Sequence, residues 1–373
     1  MASPSRTIPP SVIQTINQLG WNLAIHQCGQ RNVSAGLAFS PLSITVALAM
    51  LAGGADDATC HALCDKLGVD SLDSLIPVLS TIQGAFLSAP DRGPQLTSAN
   101  AMFTDRSTEV VPTYVEYLQH CGAYLDCSLP RLADGVDVLN GWVAKQTNGL
   151  IPSMLSRQTL ALAHIVLINA LVFKATWQTK FDPENTIPDF PFHTPSGPTR
   201  PVDMMFLDRP EVLISEGNGY TAARLPYASS ASSSWSFIAY LPSDDSSPLE
   251  TLQVIRRDGA PRHFVPTKLR QLGLPKFNLH AQEEIAETLC QLGYPIAGEF
   301  PGISSYALVQ HVIHNVTILL DENGTEAAAA TAVVMTRSRS PRLPSLVLDR
   351  PFVFSIVAED MDLVVFTGVF SVA

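Results

Sequence analysis

Several side chains stand at spacings that could bind a metal or carry acid–base chemistry. Cys60 and Cys64 lie four residues apart beside His61, and on a helix such a pair shares one face, where two thiolates could hold zinc. His61 projects to another side and no second cluster supplies the remaining ligands, so no metal is expected. His311 and His314 in HVIH fall in a β-branched run that reads as a strand, where hydrogen-bonded structural histidines fit better than ligands. The chain has no GxGxxG, no GxxxxGK[ST], no HExxH and no GxSxG, the spacings that cradle phosphates, seat zinc or raise a nucleophile. Ser, His and Asp occur throughout, so composition leaves a scattered triad open, but no spacing locates one and no cofactor is expected.

Charge narrows the partners. With 23 basic and 34 acidic residues the net charge is −11, which opposes binding to nucleic-acid phosphates or an anionic membrane. One basic cluster, Arg256, Arg257, Arg262, His263, Lys268 and Arg270, reads either as a site for a sulfated polysaccharide or acidic partner or as a solvated face with Asp258 inside it. The most apolar stretch, Ile165 to Phe173, is far short of the roughly 20 residues of a membrane span. The beginning, MASPSRTIPPSVIQ, places prolines where a secretory signal carries its apolar stretch. Six cysteines, Cys28, Cys60, Cys64, Cys121, Cys127 and Cys290, make no dense disulfide framework in so long a chain. A cytoplasmic or nucleocytoplasmic address is expected, and sequons at Asn32, Asn315 and Asn323 carry little weight.

The elements that must position any site follow from periodicity. In 373 residues, 46% hydrophobic and 15% charged, there is material for one large core. Ser11 to Gln27 spaces its apolar residues as a helix, Ser40-Pro41 caps and opens a second one running to Leu51, and Val136 to Lys145 forms a third that Asn148-Gly149 ends. Ile165 to Phe173 reads as a buried strand, and Trp235 to Leu241 alternates as a half-buried one. Pro351 to Val357 and Leu363 to Val369 read as a hairpin. Helices early and strands late give an α+β domain.

The segment Asp321 to Arg342, DENGTEAAAATAVVMTRSRSPR, is the most unusual. A helix over Glu326 to Ala332 would have seven residues, marginal on its own, and propensity leaves helix or strand open. As a strand it puts Thr325, Ala327, Ala329, Thr331 and Val333 on one face and Glu326, Ala328, Ala330, Ala332 and Val334 on the other. A small-residue face could slide between existing strands without displacing core, with Gly324 as hinge.

DENGTEAAAATA followed by RPFVFSI resembles the reactive-centre loop and C-terminal strands of a serpin. FSPLSITVALAMLAGGA from Phe39, NGWVAKQTNGLI from Asn140, LINALVFKATWQTKF from Leu167, PVDMM from Pro201, LPKFNL from Leu274 and FTGVF from Phe366 are similar to serpin motifs in the family's order. The resemblance covers nearly the whole chain. It implies one α+β domain over residues 1–373, with three β-sheets, about nine helices and an exposed bait loop at about 322–342. It further implies a suicide-substrate inhibitor of serine proteases, trapped as an acyl-enzyme when the cleaved loop enters the central sheet. By resemblance Glu322, Gly324, Thr325, Glu326, Ala327, Ala328, Ala329 and Ala330 form the hinge and entering strand. Asn169, Lys174, Trp177 and Thr186 fall around the sheet's upper opening.

A family-typical stretch of about 17 residues from Glu322 ends at Ser338, between Arg337 and Arg339. Arginine at the scissile bond would select trypsin-like proteases, whose pocket carboxylate pairs with a guanidinium. The preferred bond is Arg337-Ser338, then Arg339-Ser340, then Ser338-Arg339. The alternatives are inhibition of papain-like cysteine proteases and a non-inhibitory carrier or chaperone, although the hinge lacks the bulky or charged residues that usually spoil insertion. Ser71 to Ser88, where some serpins bind heparin, has no Lys or Arg, so heparin activation there is not expected. A monomer is.

Overall fold

The computed structural model describes residues 8–30, 36–84, 94–194, 197–228, 234–305, 307–325 and 343–372. Among them are eight α-helices: α1 (Pro10–Gln30), α2 (Pro41–Ala52), α3 (Asp57–Leu67), α4 (Leu72–Ile82), α5 (Pro112–His120), α6 (Val136–Gln146), α7 (Pro248–Asp258) and α8 (Ala286–Gln291). The sequence expectation was about nine.

Strands form three sheets. One runs β1 (Leu37–Phe39), β17 (Leu363–Phe370), β16 (Phe352–Ala358), β9 (Trp235–Pro242), β8 (Tyr220–Pro226), β7 (Glu211–Gly217), β10 (Val265–Lys268). A smaller one runs β15 (Ser345–Val347), β11 (Gln271–Pro275), β6 (Arg200–Asp208), β5 (Thr186–Phe192). The central sheet runs β12 (Phe277–Glu284), β13 (His311–Leu320), β4 (Ile165–Thr176), β2 (Gln95–Asp105), β3 (Tyr124–Leu129), and the two residues of β14 (Gly324–Thr325) pair with β4.

Local sequence explains the elements that matter most. Ser40 caps α2 by accepting from the Ser43 N–H, Pro41 occupies the first turn, and every residue of α2 is buried, as expected of a helix apolar on all sides. It lies behind the central sheet. The apolar run of β4, interrupted only at Asn169 before Lys174, is buried on both faces, with α6 and the segment after it covering the front: Leu139, Val143, Met154 and Leu155 pack with Ala99, Ala101, Val166, Ile168, Ala170 and Ile313. Asn148 and Gly149 adopt positive φ where α6 was expected to stop. β9 departs from expectation, since all eight of its residues are buried; its sheet is covered on both sides, so alternation carries no exposure signal.

Candidate functional site

The central feature is a seam. β4 and β13 pair directly and in parallel, from His311 opposite Val166 to Ile318 opposite Phe173. Above that point they part, and the chain leaving β13 turns back. Asp321 Oδ1 accepts from the N–H groups of Asn323 (2.8 Å) and Gly324 (3.1 Å), a side-chain-closed turn. β14 then descends antiparallel to β4, Gly324 opposite Thr176 and Thr325 opposite Ala175.

Each residue of this return has a physical requirement. Gly324 has φ +150°, and a Cβ there would collide with the Ala175 carbonyl oxygen; glycine alone meets both conditions. Thr325 is fully buried, its hydroxyl 2.9 Å from the Tyr227 hydroxyl. Tyr227 stacks on Trp177 with ring centroids 4.6 Å apart. Trp177 also clamps the turn, its indole N–H donating to the Asp321 carbonyl (2.9 Å) and its backbone N–H to the Asn323 carbonyl (2.8 Å). Glu322 is nearly buried and accepts from Thr186 Oγ1 (2.8 Å) and Lys276 Nζ (3.0 Å). Burial pushes its carboxyl up, but its own backbone N–H, Lys276 and Thr186 hydrogen-bond the ionised form and hold it below the ordinary value.

Six to seven residues lower on β4, the seam is locked differently. His314 Nε2 accepts from the Ser40 N–H (3.0 Å), so its Nδ1 carries the proton and donates to Asn169 Oδ1 (2.6 Å) on the facing strand. Asn169 Nδ2 donates onward to the Ser43 carbonyl (2.9 Å) and to Asn100 Oδ1 (2.7 Å). β13, β4, β2 and the start of α2 thus share one buried neutral network. Burial pushes the His314 pKa down to about 3.

A family pattern described as Serpin (serine protease inhibitor) matches residues 14–372. The chain belongs to the serpin family. It is similar to Serpin-Z3 of Arabidopsis thaliana, 29% identical over 90% of either chain. Its fold is similar to Arabidopsis AtSerpin1 in the native stressed conformation, with TM-score 0.83, 25% identity and 99% and 98% of the two chains covered. It is likewise similar to human thyroxine-binding globulin with its hormone, with TM-score 0.81, 21% identity and 96% and 98% covered.

In this serpin Glu322, Gly324, Thr325, Trp177 and Thr186 meet at the upper opening. Lys174 lies just below, on β4 opposite Gln95. Asn169 is elsewhere: it sits in the middle of the seam, because its amide is spent on the network with His314 and α2. Glu326, Ala327, Ala328, Ala329 and Ala330 and the bonds among Arg337, Ser338, Arg339 and Ser340 lie outside the described residues. Tyr227 and Lys276 escaped sequence reasoning because their partners, Thr325 and Glu322, are 98 and 46 residues away. His314 was legible as a structural histidine, but its reach across the seam was not.

The remaining candidates resolve simply. Among the described residues no group of three or more His, Cys, Asp or Glu is placed to hold a metal, all six cysteines are free, and no helix is long and apolar enough to cross a membrane. Members of the basic cluster are engaged locally: Arg256 donates to Asn22, Arg257 pairs with Asp258, Arg262 with Asp362, and Arg270 donates to Ser345. Asn315 is buried in β13, so its sequon cannot accept a glycan in the folded protein.

Proposed function

We propose that this serpin is a suicide-substrate inhibitor of trypsin-like serine proteases that inserts residues 326–335 into the central sheet after cleavage at Arg337-Ser338. The observation that carries the reading is the seam: β4 and β13 are parallel neighbours, and β14 has already begun an antiparallel strand on β4 with its inward side chain buried. A strand descending between β4 and β13 would be antiparallel to both, the arrangement with short, linear ladder bonds.

Register supports the length. Each step down β4 advances the loop by one residue, so the ten positions Glu326 to Met335 would match Lys174 down to Ile165, the whole remainder of β4. Thr336 and Arg337 then form a two-residue tether beyond the sheet. In the reaction the protease serine Oγ attacks the Arg337 carbonyl, the Arg337–Ser338 amide breaks, Ser338 leaves as a free amine, and Arg337 remains as an ester on the protease. Insertion drags the ester away from its site before water can hydrolyse it. The reading includes a bait loop at 322–342, a monomer and a cytoplasmic address; covalent partnership with the protease needs no cofactor.

The test is to mix the protein with trypsin, thrombin, elastase and papain-like cathepsins and look for SDS-stable complexes, with mass spectrometry of the released peptide. A complex with trypsin or thrombin and a new N-terminus at Ser338 supports the proposal. A complex with cathepsins alone moves the target to cysteine proteases, and loop cleavage without any complex makes the protein a non-inhibitory relative.

A further inference from the structure

The front of the seam is crossed by a strap. Residues 147–163 leave α6, run over β4 and β13 towards β12, and return to the start of β4. Its middle is bound to α6 by three of the four hydrogen bonds one amide can make: Asn140 Oδ1 accepts from the N–H groups of Met154 and Leu155 (3.0 Å each), and its Nδ2 donates to the Leu155 carbonyl (3.0 Å). The same Met154 is held from the other direction by one bond, from Gln282 Nε2 on β12 to its carbonyl (2.8 Å). Gln282 faces Asn315 across β12 and β13, and Asn315 faces Ala170 across the seam. Beneath the strap Asn315 Oδ1 is buried without a partner, so this row of the sheet is imperfectly satisfied while the seam is closed.

We propose that the Gln282–Met154 bond is a latch across the seam and that Gln282 sets the rate at which the sheet opens; the inhibitory consequence rests on the insertion reading above. The geometry dictates the conflict. A new strand separates β13 and β12 from β4 by about 4.8 Å, and a 2.8 Å hydrogen bond does not survive such a displacement. Either the three bonds of Asn140 or the single bond of Gln282 must yield. Gln282 is exposed on its strand, where water can replace the lost partner, so the release falls there. It acts through the strap and touches neither protease nor scissile bond, which makes it a positioning residue.

The test compares Gln282→Glu, which keeps the shape but removes the donor, with Gln282→Lys, which keeps a donor. Removing the latch should accelerate spontaneous loss of inhibitory activity at raised temperature about three- to tenfold, with Gln282→Lys near the parent. The thermal midpoint of the loop-cleaved form should be unchanged, because the latch is already broken there; a merely structural glutamine would lower both forms alike, and that result overturns the proposal. Hydrogen exchange of the intact chain supplies a readout independent of inhibition. Gln282→Glu should raise exchange of the β13 amides from His311 to Leu320, and unchanged protection there overturns the latch even if the protein proves non-inhibitory. If instead the parent gains no stability on cleavage while the exchange result holds, the insertion reading fails and the latch stands.

Discussion

The upper end and the middle of the seam are held by opposite means. At the top the strands have already parted, two residues of the return are seated on β4, and the turn after β13 is tied to the start of β12 by an ion pair whose lysine is 43% exposed. In the middle the closure is a neutral network with His314 and Asn169 almost completely buried. The contrast follows from desolvation: a charge pair persists at a rim where water still solvates it, whereas a dry centre favours neutral groups with every lone pair and proton matched. It teaches where the work of opening lies. Under the insertion reading proposed above, the top is where a strand would enter and the middle is what it would have to part.

The largest effect expected is on the whole seam. If the proposed insertion holds, cleaving the loop within Thr336 to Pro341 lets a kinetically trapped fold gain a full strand and should raise the thermal midpoint by roughly tens of degrees. Scanning calorimetry of intact and nicked protein checks it, and an unchanged midpoint would mean that neither closure is a barrier to anything. Next, Thr325→Arg places an unpaired charge at the buried entry position, at a cost of several kcal/mol. The variant should be cleaved as a substrate with SDS-stable complex reduced at least about tenfold. Glu326→Arg, expected on the other face, should retain most complex; equal loss in both would break the claim that entry has a defined face.

Two further substitutions set the regions against each other. Asn169→Ala strands the His314 N–H, the Asn100 oxygen and the Ser43 carbonyl together, and should lower native stability by about 3 kcal/mol, with hydrogen exchange rising along β4, β13 and the start of α2. Glu322→Lys turns the rim pair into a repulsion and should cost about 1–2 kcal/mol, with exchange rising at the Asp321 to Thr325 turn and the middle left protected. Indistinguishable exchange patterns would erase the contrast between rim and centre.

The smallest effect is the dependence on pH. His314 titrates near 3 in the closed sheet and near its ordinary 6.5 once hydrated. The open form therefore binds the extra proton between those values, and closure is strongest above pH 6.5 and weakens as pH falls through that window. Glu322, held below its ordinary 4.5, loses its contribution only as pH falls through that lower value. Spontaneous inactivation should accelerate from pH 7.5 to 5 in the parent, and a His314→Asn variant should show a flatter profile. A profile identical in both would place the titrating group elsewhere.

What the sequence determined by itself was the local grammar and the family. Ser40-Pro41 specified a capped helix because its hydroxyl and its fixed φ serve the first turn. The apolar run of β4 specified a doubly covered strand, and Gly324 marked a position that only glycine can occupy, because backbone freedom and side-chain volume are properties of single residues. The motif order from Phe39 to Phe366 then carried the fold. Tertiary structure alone decided what those parts do to one another. Asn169 moved from the rim to the centre, and His314 became a lock rather than a filler of the core. Tyr227 and Lys276 joined a site to which nothing adjacent in the chain points. The physical reason is that a hydrogen-bond partner or a packed ring is chosen by position in space, and the pairs that close this seam, such as His314 with Asn169, are 145 residues apart.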